Sequence, residues 1–138
     1  MIDLSLIKLP RLRFRVLRRE DIAEFLKYRG DPQVARLQGW EPMTEQEAMD
    51  FLVSHSSDLR FRPDDWSQIA IANLVTDELI GDIGVHLSRD QSVAEFGISI
   101  TPHAQGNGYA VESIRGLMDL VFLFTPAQKI LARVSSPI

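Results

Sequence analysis

No cysteine occurs in the 138 residues. That excludes disulfides, thiolate metal sites and a cysteine nucleophile, and it fits a cytoplasmic protein. No apolar run approaches the ~20 residues of a membrane helix, so no membrane partner is expected. The start, Met1-Ile2-Asp3-Leu4, has no basic region and no long apolar stretch behind it, and does not read as a secretory signal. Positive charge is also scarce. Fifteen Lys and Arg against 19 Asp and Glu leave a net charge of −4, which argues against a nucleic-acid partner. No His/Asp/Glu set has metal-ligand spacing, so no metal is expected. Two phosphate-binding signatures are missing as well: the P-loop, with its Gly-Lys-Ser/Thr, and the dinucleotide fingerprint G-x-G-x-x-G.

What remains is the composition of a globular protein, 45% hydrophobic and 25% charged. The length suits one domain, 1–138, with a real core. Leu12, Phe14 and Val16 alternate with Arg11, Arg13 and Arg15, which predicts a strand buried on one side. The arginines at 11, 13, 15, 18 and 19 read as a solvated face. Ile22, Phe25, Leu26 and Arg29 recur at helical spacing, with Gly30 as a natural residue just past the end. Asp31-Pro32 reads as an N-cap followed by proline at the first helical position, opening a short second helix. Thr44-Glu45-Gln46-Glu47 is a capping box, with Ala48, Phe51 and Leu52 as the apolar stripe behind it. Ser54 to Asp65 reads as a loop. Strands are predicted over Gln68 to Leu74, Leu79 to Leu87 and Val93 to Ile100, neighbours and antiparallel because their links are short. A helix over Val111 to Phe124 places Ile114, Leu117, Met118, Val121 and Phe122 on one face, with Glu112, Arg115 and Asp119 opposite. Lys129 to Ser135 reads as a last strand, reached by a right-handed parallel crossover.

The most telling stretch is Gln105-Gly106-Asn107-Gly108-Tyr109-Ala110, between a strand and a helix. Such a turn aims backbone N–H groups at one point, and the helix adds the positive end of its dipole. Glycine keeps the approach open and permits a positive φ.

This stretch resembles the acyl-CoA loop of the GNAT superfamily of N-acetyltransferases, Gln/Arg-x-x-Gly-x-Gly/Ala, with Gln105, Gly108 and Ala110 in the fixed places. Tyr28 to Arg36 and Gly39-Trp40-Glu41-Pro42 resemble the N-terminal part of the branch that includes the ribosomal-protein N-acetyltransferases. The resemblance runs from about Leu12 to Val134. It implies an α/β (α+β) fold: a mixed, mostly antiparallel central sheet with helices on both faces, and two parallel strands that splay apart around the cofactor's pantetheine arm. It implies acetyl-CoA as cosubstrate and an amine acceptor, a small molecule or a protein N-terminus. It assigns the pyrophosphate to the backbone amides of Gly106, Gly108, Tyr109 and Ala110, with Gln105 and Asn107 in the same turn. Backbone N–H groups near Ile98, Ser99 and Ile100 are to polarise the thioester, on a strand bulged near Gly97. The family continues beyond Ser135 with an asparagine-bearing loop, a helix and two strands, so the fold is expected to be C-terminally truncated and to form a homo-oligomer. A non-catalytic acyl-CoA-binding or oligomerising remnant is the alternative.

For the base, register gives a lead. A four-residue turn over Arg89 to Ser92 sets Ser88 against Val93 and His86 against Glu95. It also pairs Ile83, Val85 and Leu87 with Ile98, Phe96 and Ala94. Glu95 beside His86 has the character of a base in a cleft. A solvent-facing cross-strand pair, worth ~0.2–1 kcal/mol, is the other reading. His103 is expected to be exposed, and Trp40 and Trp66 stand as pocket-lining or core aromatics.

Overall fold

A computed structural model describes residues 2–33, 35, 41–57 and 59–133. Its frame is a five-stranded sheet in the order β1-β2-β3-β4-β5. The strands are β1 (Leu12–Arg15), β2 (Asp65–Asn73), β3 (Leu79–Leu87), β4 (Val93–Ile100) and β5 (Lys129–Ala132). The first four are antiparallel in sequence, and β5 runs parallel to β4. Three helices position the site: α1 (Ile22–Arg29), α2 (Glu45–Ser54) and α3 (Tyr109–Phe124).

The side-chain alternation of the strands builds two cores. On one face Ile69, Ile71, Ile83, Val85 and Phe96 pack with Leu117, Leu120 and Val121 of α3. On the other, Ala70 and Leu79 pack with Phe25 and Tyr28 of α1 and Ala48 and Leu52 of α2. Helices therefore cover both faces, as the resemblance implies. Each fully buried Leu or Ile contributes roughly 1.5–3 kcal/mol by leaving water.

Local signals hold at several places. Thr44 Oγ1 accepts from the Glu47 N–H at 3.1 Å, and Glu47 Oε1 accepts from the Thr44 N–H at 3.0 Å, closing the capping box. Asp31 Oδ1 accepts from the Gln33 N–H at 2.8 Å, as an N-cap should. Residues 34 and 36–40, Trp40 among them, and the segment beyond Arg133 lie outside the described residues. The β3–β4 register is the one predicted, with His86 opposite Glu95 and Ile83 opposite Ile98. Asp90 ties its turn: it accepts from the Ser92 N–H and from the hydroxyls of Ser92 and Ser88. Those bonds, the Ser92 backbone one foremost, pull its pKa down to about 2.

Several expectations are corrected. The strand expected from Gln68 begins at Asp65, because its polar first residues still pair with β3. Gly30 caps α1 at φ −92°, a right-handed conformation; it is small because a Cβ would lie 2.9 Å from the Leu26 carbonyl. No bulge forms at Gly97, where the β3–β4 register runs unbroken. The shift is instead between Ile71 and Ala72 of β2, where Ile80 is the extra residue of β3. The arginine face is solvated at Arg11, Arg13 and Arg19, as expected, but Arg15 is largely covered, and most of the group is ion-paired or hydrogen-bonded. Arg15 is bonded to Asp21 and Asp77, Arg18 to Asp77, Arg13 to the Leu74 carbonyl and Arg11 to Glu112. Finally, α3 is rotated from its expected orientation. Its buried residues include Glu112, Ser113 and Gly116, whereas Met118 and Phe122 are exposed.

Candidate active site

The β4–β5 edge comes first. The Thr101 N–H donates to the Ile80 carbonyl, and the Ser88 N–H to the Val93 carbonyl, both at 2.8 Å. Backbone groups alternate sides along an antiparallel strand, so the odd-numbered residues of β4 face β3. The even-numbered ones face the other edge, as the Phe96 carbonyl shows by accepting from the Arg133 N–H. Pairing of β4 with β5 runs from Val93–Lys129 to Phe96–Ala132. Among the described residues, β4 beyond Phe96 has no strand partner on that side. The N–H groups of Ile98 and Ile100 therefore point to the β5 side of the strand, where both residues line a cleft. Those of Ser99 are turned to β3, and Ser99 itself is buried.

The glycine loop closes this cleft at its top. Gly106 has φ +81° and Gly108 φ +77°, so both occupy the left-handed region that favours glycine. Gly108 is the N-cap of α3, whose first N–H groups have no partner within the helix. Gln105 Nε2 donates to the Ile100 carbonyl at 3.0 Å, fastening the loop to the open edge of β4. Asn107 Nδ2 donates to the Ala104 carbonyl at 2.9 Å, holding the turn from within. The cleft, of about 280 Å³, is lined by Ile98, Ile100, Gln105, Gly106, Gly108, Tyr109 and Ala110, among others. Sequence-predicted cofactor residues thus meet in one place, with Ser99 and Asn107 outside the lining.

Two residues of this region escaped sequence reasoning. Glu112, expected in solvent, is buried, and it is bound by Arg11 through both the backbone N–H at 2.8 Å and Nε at 2.7 Å. No local pattern joins residues 101 positions apart.

The second half of the site lies on the α1/α2 face. His86 and Glu95 face one another across the ladder without a hydrogen bond. Glu95 is instead 3.7 Å from Arg133 Nε. His86 Nε2 lies 3.4 Å from Asp64 Oδ1. Asp64 is held below the ordinary carboxylate range by its hydrogen bond from Arg89, with His86 adding a smaller effect. The Trp66 ring sits 5.2 Å from His86 and under the Arg133 guanidinium at 5.5 Å. Gly84 pairs with Gly97, and a Cβ on Gly97 would meet no atom within 4 Å. Above Gly84 the space is taken by Gln68 Nε2 and the Trp66 ring, 3.1 and 3.5 Å from where a Cβ would lie, so the opening on this face is the one over Gly97. It adjoins a polar cleft of about 530 Å³ lined by His55, Arg60, Asp65, Trp66 and Gln68. Beneath it, the buried Asp82 accepts from the Tyr28 hydroxyl at 2.6 Å and from Arg29 Nη2 at 2.7 Å. Burial, reinforced by the Asp82 charge, pushes the Tyr28 pKa well up. His103 is exposed, as expected. It offers a ligand atom within 4.8 Å of those of Glu24 and Glu78; nothing further at that cluster points to a metal.

The family model for the acetyltransferase (GNAT) domain matches residues 11–137. The chain belongs to the GNAT acetyltransferase family. It is 26% identical over 125 residues to the uncharacterized N-acetyltransferase p20 of Bacillus licheniformis, covering 90% of this chain and 70% of that protein. Its fold matches a GNAT-family acetyltransferase from Bacillus anthracis with a TM-score of 0.78 at 21% identity, over 91% of this chain and 71% of the other. It also matches spermidine N-acetyltransferase from Vibrio cholerae, solved with CoA and spermine, with a TM-score of 0.73 at 23% identity, over 90% and 71%. The GNAT chain therefore spans about seven-tenths of the length of these relatives. Among its described residues, no helix is long and apolar enough to cross a membrane.

Proposed function

We propose that this GNAT domain, one unit over residues 1–138, is a cytoplasmic N-acetyltransferase that moves an acetyl group from acetyl-CoA to a primary amine. The observation that carries this reading is the open edge of β4 beneath the glycine loop. Ile98 and Ile100 turn their N–H groups to that edge, and the amides of Gly106, Gly108, Tyr109 and Ala110 stand above it. Donors fixed before the reaction can hold a pyrophosphate at one end and polarise a thioester carbonyl at the other without reorganising. The trough over Gly97, beside Gln68 and Trp66, is the approach for the amine. Spermidine N-acetyltransferase shares this fold, which supports a small-molecule amine; a peptide N-terminus fits the same trough. No metal takes part in this scheme.

For removal of the ammonium proton we propose Glu95, with His86 opposite it. Release of thiol from acetyl-CoA across a panel of amines tests both statements. Amine-dependent release is expected. Glu95→Gln should slow turnover by roughly 10²-fold, the usual scale of general base catalysis, most visibly below the amine's own pKa. Its affinity for acetyl-CoA should stay close to the wild type's. Binding of acetyl-CoA with no release to any amine would favour the non-catalytic reading. An unchanged pH–rate profile in Glu95→Gln would remove that residue from the mechanism.

We also propose self-association. Val111, Met118, Phe122 and Leu123 of α3 and Leu131 of β5 are all about half exposed or more. Apolar surface of this kind beside a short edge strand favours a second chain. Light scattering should show a dimer or larger species at micromolar concentration; a stable monomer would overturn this.

A further inference from the structure

Arg11 stands outside the lining of the proposed CoA cleft, yet it is bonded to the loop and to the start of the helix that follows. Its backbone N–H and Nε both donate to the Glu112 carboxylate, which is only 9% exposed. Its Nη1 donates to the Asn107 carbonyl at 2.7 Å. Its guanidinium lies 4.6 Å from the centre of the Tyr109 ring. One side chain, from the residue just before β1, thus touches the loop, the first helical residue and the first helical turn.

The Asn107 contact has a geometric consequence. In a planar trans peptide the carbonyl of one residue and the N–H of the next point in opposite directions. Fixing the Asn107 carbonyl on Arg11 therefore fixes the Gly108 N–H on the side away from Arg11. That peptide rotates about ψ of Asn107 and φ of Gly108, and Gly108, at positive φ, has the freedom to let it do so. Glycine makes the anion site accessible but leaves it soft, and a guanidinium held rigid by a buried carboxylate removes the softness. A fork with several donors can satisfy Glu112 and the carbonyl together, which a lysine ammonium cannot do in the same planar geometry.

We infer that Arg11, held by Glu112, is a positioning residue for the cosubstrate's pyrophosphate: it locks the Asn107–Gly108 peptide so that the Gly108 N–H is presented to the anion. This rests on the acetyltransferase reading above. Its signature is selectivity for the part of the thioester it acts on. Acetyl-CoA carries the pyrophosphate and S-acetylpantetheine does not.

The experiment compares kcat/KM for acetyl-CoA and for S-acetylpantetheine with one amine, in the wild type, Arg11→Ala and Arg11→Lys. Arg11→Ala should lose about 10- to 100-fold with acetyl-CoA, the scale of one charge-assisted hydrogen bond. Its loss with S-acetylpantetheine should be at least about tenfold smaller, by the same scale. Arg11→Lys should show the same imbalance, reduced but present. Removing Arg11 leaves the Glu112 carboxylate buried without its cation, so thermal unfolding accompanies each variant. If Arg11→Ala does not fold, Arg11→Lys carries the comparison. Equal losses on both thioesters in the folded variants would show a merely structural role and overturn the inference. A wild type that binds no acetyl-CoA in calorimetry would instead overturn the acetyltransferase reading itself.

Discussion

Gly108→Asp should abolish measurable binding of acetyl-CoA while the protein stays folded. The backbone is strained by any side chain at the φ of +77° that Gly108 adopts, but Asp enters the left-handed region more readily than most residues, so the cost stays below the roughly 1–2 kcal/mol of an ordinary side chain. The space is adequate, since a Cβ there would first meet Arg11 Nη2, at 3.5 Å. That neighbour decides the outcome. The new carboxylate would sit within reach of a guanidinium and at the mouth of the anion site, so it would compete with the pyrophosphate from inside the chain. In the wild type, acetyl-CoA at ~100 times its dissociation constant should stabilise the fold by ~2.7 kcal/mol. That is a rise of roughly 8 °C in Tm for a domain of this size. Gly108→Asp should show no such rise. Gly108→Asn has the same shape without the charge, and should retain part of it. Equal affinity for acetyl-CoA in the wild type and Gly108→Asp, by calorimetry, would sink the loop assignment.

The hairpin of β3 and β4 shows what kind of information the chain carries openly. A polar four-residue turn and two apolar runs of matched phase admit few registers, and the one chosen from Ser88 and Val93 is the one formed. The loop was equally legible, because its glycines are required by backbone conformation and sit next to one another in sequence. The helix that follows was legible as a helix but not in its orientation. It is apolar around much of its circumference, so periodicity cannot choose between the face with Met118 and Phe122 and the face with Gly116 and Leu120. Close approach chooses. A Cβ on Gly116 would lie 2.8 Å from Leu9 Cδ2 and 3.0 Å from Phe14 Cε2, so the small residues turn inward and Glu112 is carried in with them. Arg11 then meets that acid because β1 and α3 are neighbours in space. A partner 101 positions away leaves no trace in local spacing. The same limit applies to Glu95. Sequence set it opposite His86, but its salt bridge is to Arg133, just past the strand added by the crossover.

Gly81 and Gly97 look alike in the sequence, each a glycine set among apolar strand residues, and they should behave very differently when a methyl group is added. A Cβ on Gly81 would fall 2.1 Å from the Ser99 carbonyl oxygen and 3.1 Å from Ile100 Cα. Both obstacles are backbone, so no side chain can rotate away and β4 itself must move. Overpacking of this kind costs typically 1–3 kcal/mol and more where the neighbour is rigid. Against a total stability of ~5–15 kcal/mol, that is a large fraction. Gly81→Ala should therefore lower Tm by roughly 10 °C or more. It should also weaken acetyl-CoA binding, because Gly81 is the register partner of Ile100 and the displaced strand carries the N–H groups of Ile98 and Ile100. Gly97→Ala meets no atom within 4 Å, and its Tm should stay within about 2 °C of the wild type, as for a substitution away from any packed feature. Its methyl group would project into the trough proposed for the amine, so its effect should appear in KM for the acceptor and not in the affinity for acetyl-CoA. Thermal unfolding of the two variants, followed by separate titration of acetyl-CoA and amine, distinguishes the two roles. If Gly81→Ala unfolds at the wild-type temperature, the tight β3–β4 contact is not what fixes the open edge. If Gly97→Ala leaves the amine KM unchanged, the acceptor does not cross the sheet at Gly97.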